Sequence, residues 1–360
     1  MRTSSYLIKP ASSICNMNCQ YCFYSDVSKQ RKDYSKGIMA KETFELLIDK
    51  ALNDAQEITF SFQGGEPTMA GLNYFVHFVE YVEKIKKNHI IHYSIQTNGY
   101  CLNDEWISFF DKYQFLVGIS LDGYKNIHDQ VRLKGTQPTF DKIINHIQKI
   151  QQRNIDYNIL TVVTSQMVPF AKEIYKFYKK QGFQYIQFIP CLPELDHSTE
   201  QYNLNPKDFY HFYHDIFELW YEDLKHGHYI SISFFEDLLM IFQGRYPRTC
   251  GMIGKCQIQL VIEGDGTVYP CDFYALDQYC LGNITVNNID ELRQFKSGQI
   301  FLKEEKRTSS ICKECQFKNI CHGQCKRMNI VYFDDNYCGY QEFLKETYQI
   351  FYSIGQGKIR

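Results

Sequence analysis

The chain has 360 residues, and its 39 basic and 41 acidic side chains leave a net charge of −2. This balance gives no support for a surface that binds nucleic acid or an anionic membrane. The sequence has no run of about 18 apolar residues, so we expect no transmembrane helix. Fourteen cysteines without a secretion signal indicate a reducing compartment, where clustered thiols bind metal, and we expect a cytoplasmic protein.

Short β-rich runs alternate with amphipathic helical stretches over residues 6–190. The predicted strands are Tyr6–Lys9, Glu57–Phe62, His92–Gln96, Phe115–Leu121, Tyr157–Val163 and Tyr185–Pro190. The predicted helices between them are Lys41–Ala55, Leu72–Lys87, Glu105–Tyr113, Phe140–Gln152 and Phe170–Gln181. Such alternation predicts an α/β fold with a parallel sheet, here a partial (β/α)6 barrel of the TIM type. In such barrels the reactive groups come from the carboxyl ends of the strands.

The periodic pattern ends after an aromatic-rich helix at Asn203–Lys225, and nine of the fourteen cysteines lie from Cys250 onward. Gln257–Glu263 and Thr267–Cys271 predict a hairpin around a Gly-Asp-Gly turn. We therefore expect a partial barrel over residues 1–235, a small cysteine-rich domain over 236–345, and a C-terminal helix and tail over 346–360. Folding of the cysteine-rich domain should depend on metal, because it has few long apolar elements.

Three cysteines follow the first predicted strand with the spacing C-x3-C-x2-C: Cys15, Cys19 and Cys22. A cubane [4Fe–4S] cluster usually takes four protein ligands. Three thiolates bind only three of its irons, so the fourth iron has an open coordination position. An open coordination position is where a substrate or cofactor binds and reacts. A structural zinc site that borrows one further ligand is the alternative.

This triplet, placed after the first strand of a partial barrel, resembles that of the radical S-adenosylmethionine (SAM) enzymes. The resemblance implies that SAM fills the open iron position and is cleaved to a 5′-deoxyadenosyl radical. The segment Gln-Gly-Gly-Glu-Pro after the second strand matches the part of the family that binds the SAM amino group, and its partners would be Gly64, Gly65 and Glu66. By the same resemblance Ser120 and Arg132 contact the SAM carboxylate or ribose, and Tyr24 lies near the adenine. A solvated surface arginine is the alternative for Arg132.

The later cysteines form the pattern C-x9-G-x4-C, then C-x2-C-x5-C-x3-C, then a last cysteine, which resembles the SPASM extension of radical SAM enzymes. With Cys250 added, eight thiolates suffice for two fully ligated auxiliary [4Fe–4S] clusters, so three clusters are expected in all. The resemblance implies a first auxiliary set of Cys250, Cys256, Cys271 and Cys325, and a second auxiliary set of Cys312, Cys315, Cys321 and Cys338. A zinc ribbon is the alternative. Three cysteines are left over as packed or incidental thiols: Cys101, Cys191 and Cys280.

Within the SPASM group the resemblance narrows to the anaerobic sulfatase-maturating enzymes, above all through the segment Asp265–Tyr274. It implies radical SAM oxidation of a cysteine or serine in a sulfatase polypeptide to Cα-formylglycine. Asp272 would take the thiol or hydroxyl proton as a general base, and the first auxiliary cluster would accept an electron. Gln63 would face the substrate. An ordinary turn aspartate and a strand-capping glutamine are the alternatives for these two residues.

The expected partners are an unfolded or nascent sulfatase polypeptide with a Cys/Ser-x-Pro/Ala-x-Arg motif and an electron donor such as flavodoxin or ferredoxin. No nucleic acid or membrane partner is expected, and the lack of heptads or an apolar stripe favours a monomer. A SPASM enzyme that cross-links a ribosomal peptide is the second hypothesis. Such enzymes often carry a recognition domain ahead of the cluster motif, and we expect none here because the motif begins at Cys15. A separate recognition protein is the alternative source of that function. A non-catalytic iron–sulfur or zinc protein is the third hypothesis, and it predicts no SAM turnover.

Overall fold

Strands and helices alternate along the computed structural model, which describes residues 2–196 and 201–357. The strands are β1 (Thr3–Ile8), β2 (Glu57–Phe62), β3 (Ile90–Thr97), β4 (Leu116–Ser120), β5 (Leu133–Lys134), β6 (Gln137–Pro138), β7 (Tyr157–Val163), β8 (Tyr185–Pro190), β9 (Ser231–Ile232), β10 (Val261–Ile262), β11 (Thr267–Tyr269) and β12 (Gly282–Asn283). The α-helices are α1 (Phe23–Lys29), α2 (Lys41–Asp54), α3 (Leu72–Ile85), α4 (Asp104–Lys112), α5 (Lys125–Val131), α6 (Phe140–Gln152), α7 (Ala171–Lys180), α8 (Pro206–Lys225), α9 (Ser233–Phe242), α10 (Ile289–Gln294), α11 (Lys296–Lys303), α12 (Lys318–Cys321) and α13 (Gly339–Gly355). The predicted α/β fold is confirmed, because the six predicted strands are β1–β4, β7 and β8.

Two compact units make up the structure. The first contains the chain up to Ser120 together with Asp129–Tyr157 and Gln257–Glu304, and the second contains Leu121–His128, Asn158–Cys256 and the chain from Glu305. This grouping differs from the domain limits expected from the sequence, at residues 235 and 345. Those limits placed the predicted hairpin of residues 257–271 in the same domain as the later cysteines, whereas the hairpin belongs to the first unit. Those limits remain predictions.

The first unit is built on strands in the order β12-β11-β10-β1-β2-β3-β4, in which β1 to β4 run parallel. Along β1, Ser4, Tyr6 and Ile8 are buried on alternate positions, as expected of a strand with one face in the core. Helix α2 buries Phe44 and Leu47, among other residues, at helical spacing.

The hairpin of β10 and β11 is shorter than predicted, and it extends the main sheet. Strand β10 pairs in parallel with β1, where Leu7 N–H donates to Leu260 O at 3.1 Å and Lys9 N–H donates to Ile262 O at 2.8 Å. The register aligns Ile8 with both Phe62 and Ile262. The residues that follow these three therefore lie side by side at the carboxyl ends of the strands: Lys9, Gln63 and Glu263.

The second unit contains the parallel strands β7, β8 and β9 and the helices α7, α8, α9 and α13. Its helices pack through aromatic side chains, for example Phe217, Trp220 and Phe351, all of them buried. In the described residues, no helix is long and apolar enough to cross a membrane.

Candidate functional site

The N-terminal cysteines lie in the loop between β1 and α1. Cys22 is the N-cap of α1, and its sulfur accepts the N–H of Ser25 at 3.4 Å. Cys15 Sγ accepts the N–H of Met17, also at 3.4 Å. The third cysteine of the triplet, Cys19, lies between them in the same loop. Backbone donors aimed at sulfur stabilise the thiolate form that binds iron.

Two side chains from other elements also reach these sulfurs. Asn98 Nδ2, just after β3, lies 3.8 Å from Cys15 Sγ. Arg132 Nη1 lies 3.7 Å from Cys19 Sγ, and its guanidinium carbon is 5.5 Å from the centroid of the Tyr21 ring. The triplet thus has the donor environment of an iron–sulfur site, and its residues fit the predicted cluster.

Glu66 ties the cysteine loop to the ends of β2 and β3. Its buried carboxylate accepts from Thr68 N–H at 3.0 Å, from the hydroxyls of Thr68 and Thr97 at 2.7 Å each, and from Asn98 N–H at 2.7 Å. Burial raises the pKa of Glu66, and these hydrogen bonds act in the opposite direction. Asn98 in turn donates to Asn16 Oδ1 at 2.8 Å, so Glu66 positions the segment that carries the cysteines.

The predicted Gly-Gly segment needs its glycines. Gly64 and Gly65 have φ angles of +101° and +52°, which L side chains rarely adopt. A Cβ on Gly65 would lie 2.5 Å from the carbonyl oxygen of Ser12, and a Cβ on Gly64 would lie 2.8 Å from Cγ of Lys9. The backbone therefore approaches its neighbours too closely for any other residue.

Asp272 lies directly after Cys271 at the start of a 3-10 helix, and it is buried. Its Oδ1 is 2.5 Å from Nζ of Lys9, and its Oδ2 accepts a hydrogen bond from Gln63 Nε2 at 2.8 Å. Lys9 is 0% exposed, and its ammonium lies 3.7 Å from the centroid of the Tyr24 ring. Three residues predicted for the site therefore lie close together: Asp272, Gln63 and Tyr24. Lys9, which contacts Asp272 and Tyr24, was not among the predicted site residues.

A second buried ion pair lies beside this group. Arg31 Nη1 is 2.6 Å from Glu263 Oε1, and both side chains are 0% exposed. The hydroxyl of Tyr24 donates to the same carboxylate oxygen. Burial, and then the charge of Glu263, raise the pKa of Tyr24 well above its usual value, so its phenol stays protonated. The two pairs together bury two positive and two negative charges, which leaves no net buried charge.

The remaining predicted SAM contacts also lie in the first unit. Ser120 is the last residue of β4, and both Ser120 and Arg132 are 7% exposed. The burial of Arg132 argues against a solvated surface arginine. Their contact with SAM remains a prediction, as does that of Tyr24.

The second auxiliary set comes together in the second unit. Its four cysteines line one cavity with the aromatic side chains of Phe317, Phe333 and Tyr340. The amide of Gln341 donates to Cys315 Sγ at 3.2 Å. Four thiols converging on a single cavity match the ligand number of a fully ligated [4Fe–4S] cluster.

Three members of the first auxiliary set also lie in the second unit. Burial raises the pKa of the Cys250 thiol to about 11, and the neighbouring charges of Cys325 and Cys256 act in the same direction. A Cβ on Gly251 would lie 3.1 Å from Cβ of Cys325. These three thiols are therefore neighbours. The fourth predicted ligand, Cys271, belongs to the first unit, and its inclusion remains a prediction.

The three left-over cysteines have separate surroundings. Cys191 is 2% exposed and fits the predicted packed thiol. Cys280 Sγ accepts Gly282 N–H at 3.4 Å. Cys101 is exposed, and its sulfur accepts from Asn16 Nδ2 at 2.9 Å, which places it beside the loop of Cys15 rather than in the core.

The comparisons with known proteins agree with this geometry. The radical SAM superfamily matches residues 10–187, and SPASM, an iron–sulfur cluster-binding domain, matches residues 250–316. Native anSMEcpe with bound AdoMet, which is SAM, has the same fold, with a TM-score of 0.91 and 37% identity over 99% of this chain and 100% of that one. Fold and cysteine pattern thus define a radical SAM enzyme with a SPASM domain.

Full-length relatives narrow the assignment. A cysteine-type anaerobic sulfatase-maturating enzyme of Clostridium novyi is 43% identical over 332 residues, which span 91% of this chain and 89% of the relative. A serine-type enzyme of Bacteroides thetaiotaomicron is 28% identical over an alignment that spans 97% of this chain and 88% of the relative. The chain belongs to the family of anaerobic sulfatase-maturating enzymes.

Sequence reasoning missed Lys9, Arg31 and Glu263. Lys9 and Glu263 each follow a strand, a position that could have marked them as candidates for the site. Arg31 carries no such signal, because its position depends on the pairing of β10 with β1, which joins segments about 250 residues apart.

Proposed function

We propose that this chain oxidises a cysteine, and less readily a serine, of a sulfatase polypeptide to Cα-formylglycine. The observation that carries the proposal is the buried carboxylate of Asp272, held by Lys9 and Gln63 beside Cys271. The preference for cysteine is supported by identities of 43%, 40% and 39% to three cysteine-type enzymes, against 28%, 28% and 27% to three serine-type enzymes.

The resident groups are SAM and three [4Fe–4S] clusters. When bound at Cys15, Cys19 and Cys22, the first cluster and SAM supply the radical that removes a β-hydrogen atom from the target residue. The first auxiliary set would hold the cluster that accepts the electron given up by the substrate, and the second auxiliary set would hold a further cluster. The residues that contact SAM are Tyr24, Gly64, Gly65, Glu66, Ser120 and Arg132.

Asp272 is the general base. Oxidation of a cysteine side chain to a thioaldehyde removes one hydrogen atom, one proton and one electron, and Asp272 takes the proton from the thiol. Water then replaces sulfur, which leaves as hydrogen sulfide, and the aldehyde of formylglycine remains. The adjacency of Asp272 to Cys271 in the chain places the proton acceptor next to a ligand of the electron acceptor.

Lys9 and Gln63 orient that base. Each holds one oxygen of the Asp272 carboxylate, so the side chain cannot rotate without breaking one contact. The Lys9 ammonium is itself held over the Tyr24 ring, whose hydroxyl is tied to Glu263. A base fixed in this way is ready for proton transfer without further rearrangement.

The polypeptide substrate is bound unfolded or nascent, because the target residue must reach a buried carboxylate. The predicted electron donor, a flavodoxin or ferredoxin, supplies the electron that begins each cycle. The predicted monomer suits an enzyme whose substrate is another chain.

The test is anaerobic incubation of the reconstituted enzyme with SAM, dithionite and a peptide that has a Cys-x-Pro-x-Arg core. Formylglycine formation should lower the peptide mass by about 18 Da and release 5′-deoxyadenosine. A loss of about 2 Da from this cysteine peptide would instead assign the cross-linking alternative. If no 5′-deoxyadenosine forms, the radical reaction is ruled out.

A further inference from the structure

Lys306 lies close to cysteines of both auxiliary sets in the second unit. Its ammonium donates to three backbone carbonyls: those of Gly254 at 2.7 Å, His322, and Gln324 at 3.5 Å. An ammonium has three protons, so these contacts use its full donor capacity. No side-chain carboxylate is among the three acceptors, which sets Lys306 apart from a surface salt bridge.

The carbonyls belong to two unusual turns. His322 and Gln324 have φ angles of +49° and +55°, in the left-handed region that L residues rarely adopt, and Gly323 between them has +73°. This turn forms the whole link between Cys321 and Cys325. The sequence therefore connects a ligand of the second set to a ligand of the first set through backbone that is unfavourable by itself.

The second turn is centred on Gly254, with a φ angle of +73°, two residues before Cys256. A Cβ on Gly254 would lie 2.5 Å from the carbonyl oxygen of His322, so the two turns pack directly against each other. Lys306 contacts both turns and holds their carbonyls toward one positive charge.

Four cysteines interact electrostatically with the Lys306 ammonium: Cys321, Cys256, Cys325 and Cys312. Two belong to each auxiliary set. Burial lowers the pKa of Lys306, and the negative charges of these thiolates act in the opposite direction. A positive charge close to cluster ligands stabilises the reduced cluster, which carries one more electron.

We propose that Lys306 is a shared positioning residue for the two auxiliary iron–sulfur sites and that its charge raises the reduction potentials of both. It holds the turns that carry three of the ligands, and it makes each site a better acceptor for the one electron that leaves the substrate. The inference rests on the proposed presence of two auxiliary clusters. It does not depend on which peptide is oxidised.

The test compares reconstituted holoenzymes of wild type, Lys306→Met and Lys306→Arg, with Lys313→Met as the matched control. Lys313 is an exposed lysine beside Cys312. Iron is counted, and midpoint potentials are measured by redox titration with electron paramagnetic resonance, without peptide. Added SAM should perturb only the signal of the cluster at the N-terminal triplet, which separates it from the auxiliary signals.

Lys306→Met should shift both auxiliary potentials to more negative values, or lower the iron content from about twelve to about four per chain. Lys306→Arg and Lys313→Met should stay close to wild type. Unchanged iron and potentials in Lys306→Met, a shift of one auxiliary cluster alone, or an equal loss in Lys306→Arg would each overturn the proposal. Wild type that holds only four irons would instead refute the auxiliary clusters, and with them the proposed electron acceptor.

Discussion

Lys9→Met is the most informative perturbation of the candidate active site. It removes the ammonium 2.5 Å from Asp272 Oδ1 and keeps an unbranched apolar stem against Gly64. Removing one member of a buried ion pair generally costs about 3–5 kcal/mol, because the other charge stays buried without its partner. Asp272 keeps its hydrogen bond from Gln63 and is slightly exposed, so we expect the lower end, about 3 kcal/mol.

This loss can be measured as a change in melting temperature. For 360 residues, an unfolding entropy of about 2.1 cal/mol/K per residue converts about 3 kcal/mol into a fall of about 4 °C in Tm. Formylglycine formation should fall by about 100-fold, because the base is no longer held in place, while 5′-deoxyadenosine is still released. The matched control is Lys84→Met, an exposed lysine on α3, which should change Tm by less than about 1 °C.

A double-mutant cycle isolates the cause. Lys9→Met combined with Asp272→Asn leaves no unpaired buried charge, so the double variant should regain about 2 kcal/mol relative to the sum of the two single losses. Strictly additive losses, or a Lys9→Met protein as stable as wild type, would refute the reasoning.

Two further predictions concern buried carboxylates. Burial would raise the pKa of Asp54, but hydrogen bonds led by those of Arg293 outweigh it and lower the pKa to about 2. The Asp54–Arg293 pair therefore stabilises the fold above pH 4, and this contribution is lost as the pH falls towards 2. Asp54→Asn should lower the free energy of unfolding by about 2 kcal/mol, measured by urea unfolding at pH 7. An unchanged unfolding midpoint would contradict this prediction. Glu66→Gln places an amide N–H opposite the N–H of Asn98, so the hydrogen bond between these residues is lost. Cleavage of SAM should then be about tenfold slower, because Glu66 positions the loop of Cys15. A wild-type rate would show that Glu66 does not position this loop.

The local features of the fold could be predicted from the sequence. Short β-rich runs located β1 to β4, and helical spacing located α2 and α3, because both patterns are properties of the local sequence. The cysteine triplet was predictable because its chemistry depends on spacing within eight residues. Asp272 was found through resemblance, since an aspartate after a strand has no distinctive local pattern.

The non-local features could not be predicted. The pairing of β10 with β1 depends on backbone hydrogen bonds such as Lys9 N–H to Ile262 O, and backbone groups carry no sequence signal. This pairing brings Glu263 to Arg31 and Asp272 to Lys9. The burial of Lys9 was unexpected for the same reason, because a lysine is rarely buried unless a partner from elsewhere in the chain neutralises it.

The central claim is that Asp272 takes the proton during peptide oxidation. The direct test is the yield of formylglycine from a cysteine peptide with Asp272→Asn, compared with Asp265→Asn, which changes an exposed aspartate in the same segment. Both variants should hold wild-type iron and cleave SAM, and only Asp272→Asn should lose formylglycine, by about 100-fold or more. A formylglycine yield near that of wild type from Asp272→Asn would contradict the account.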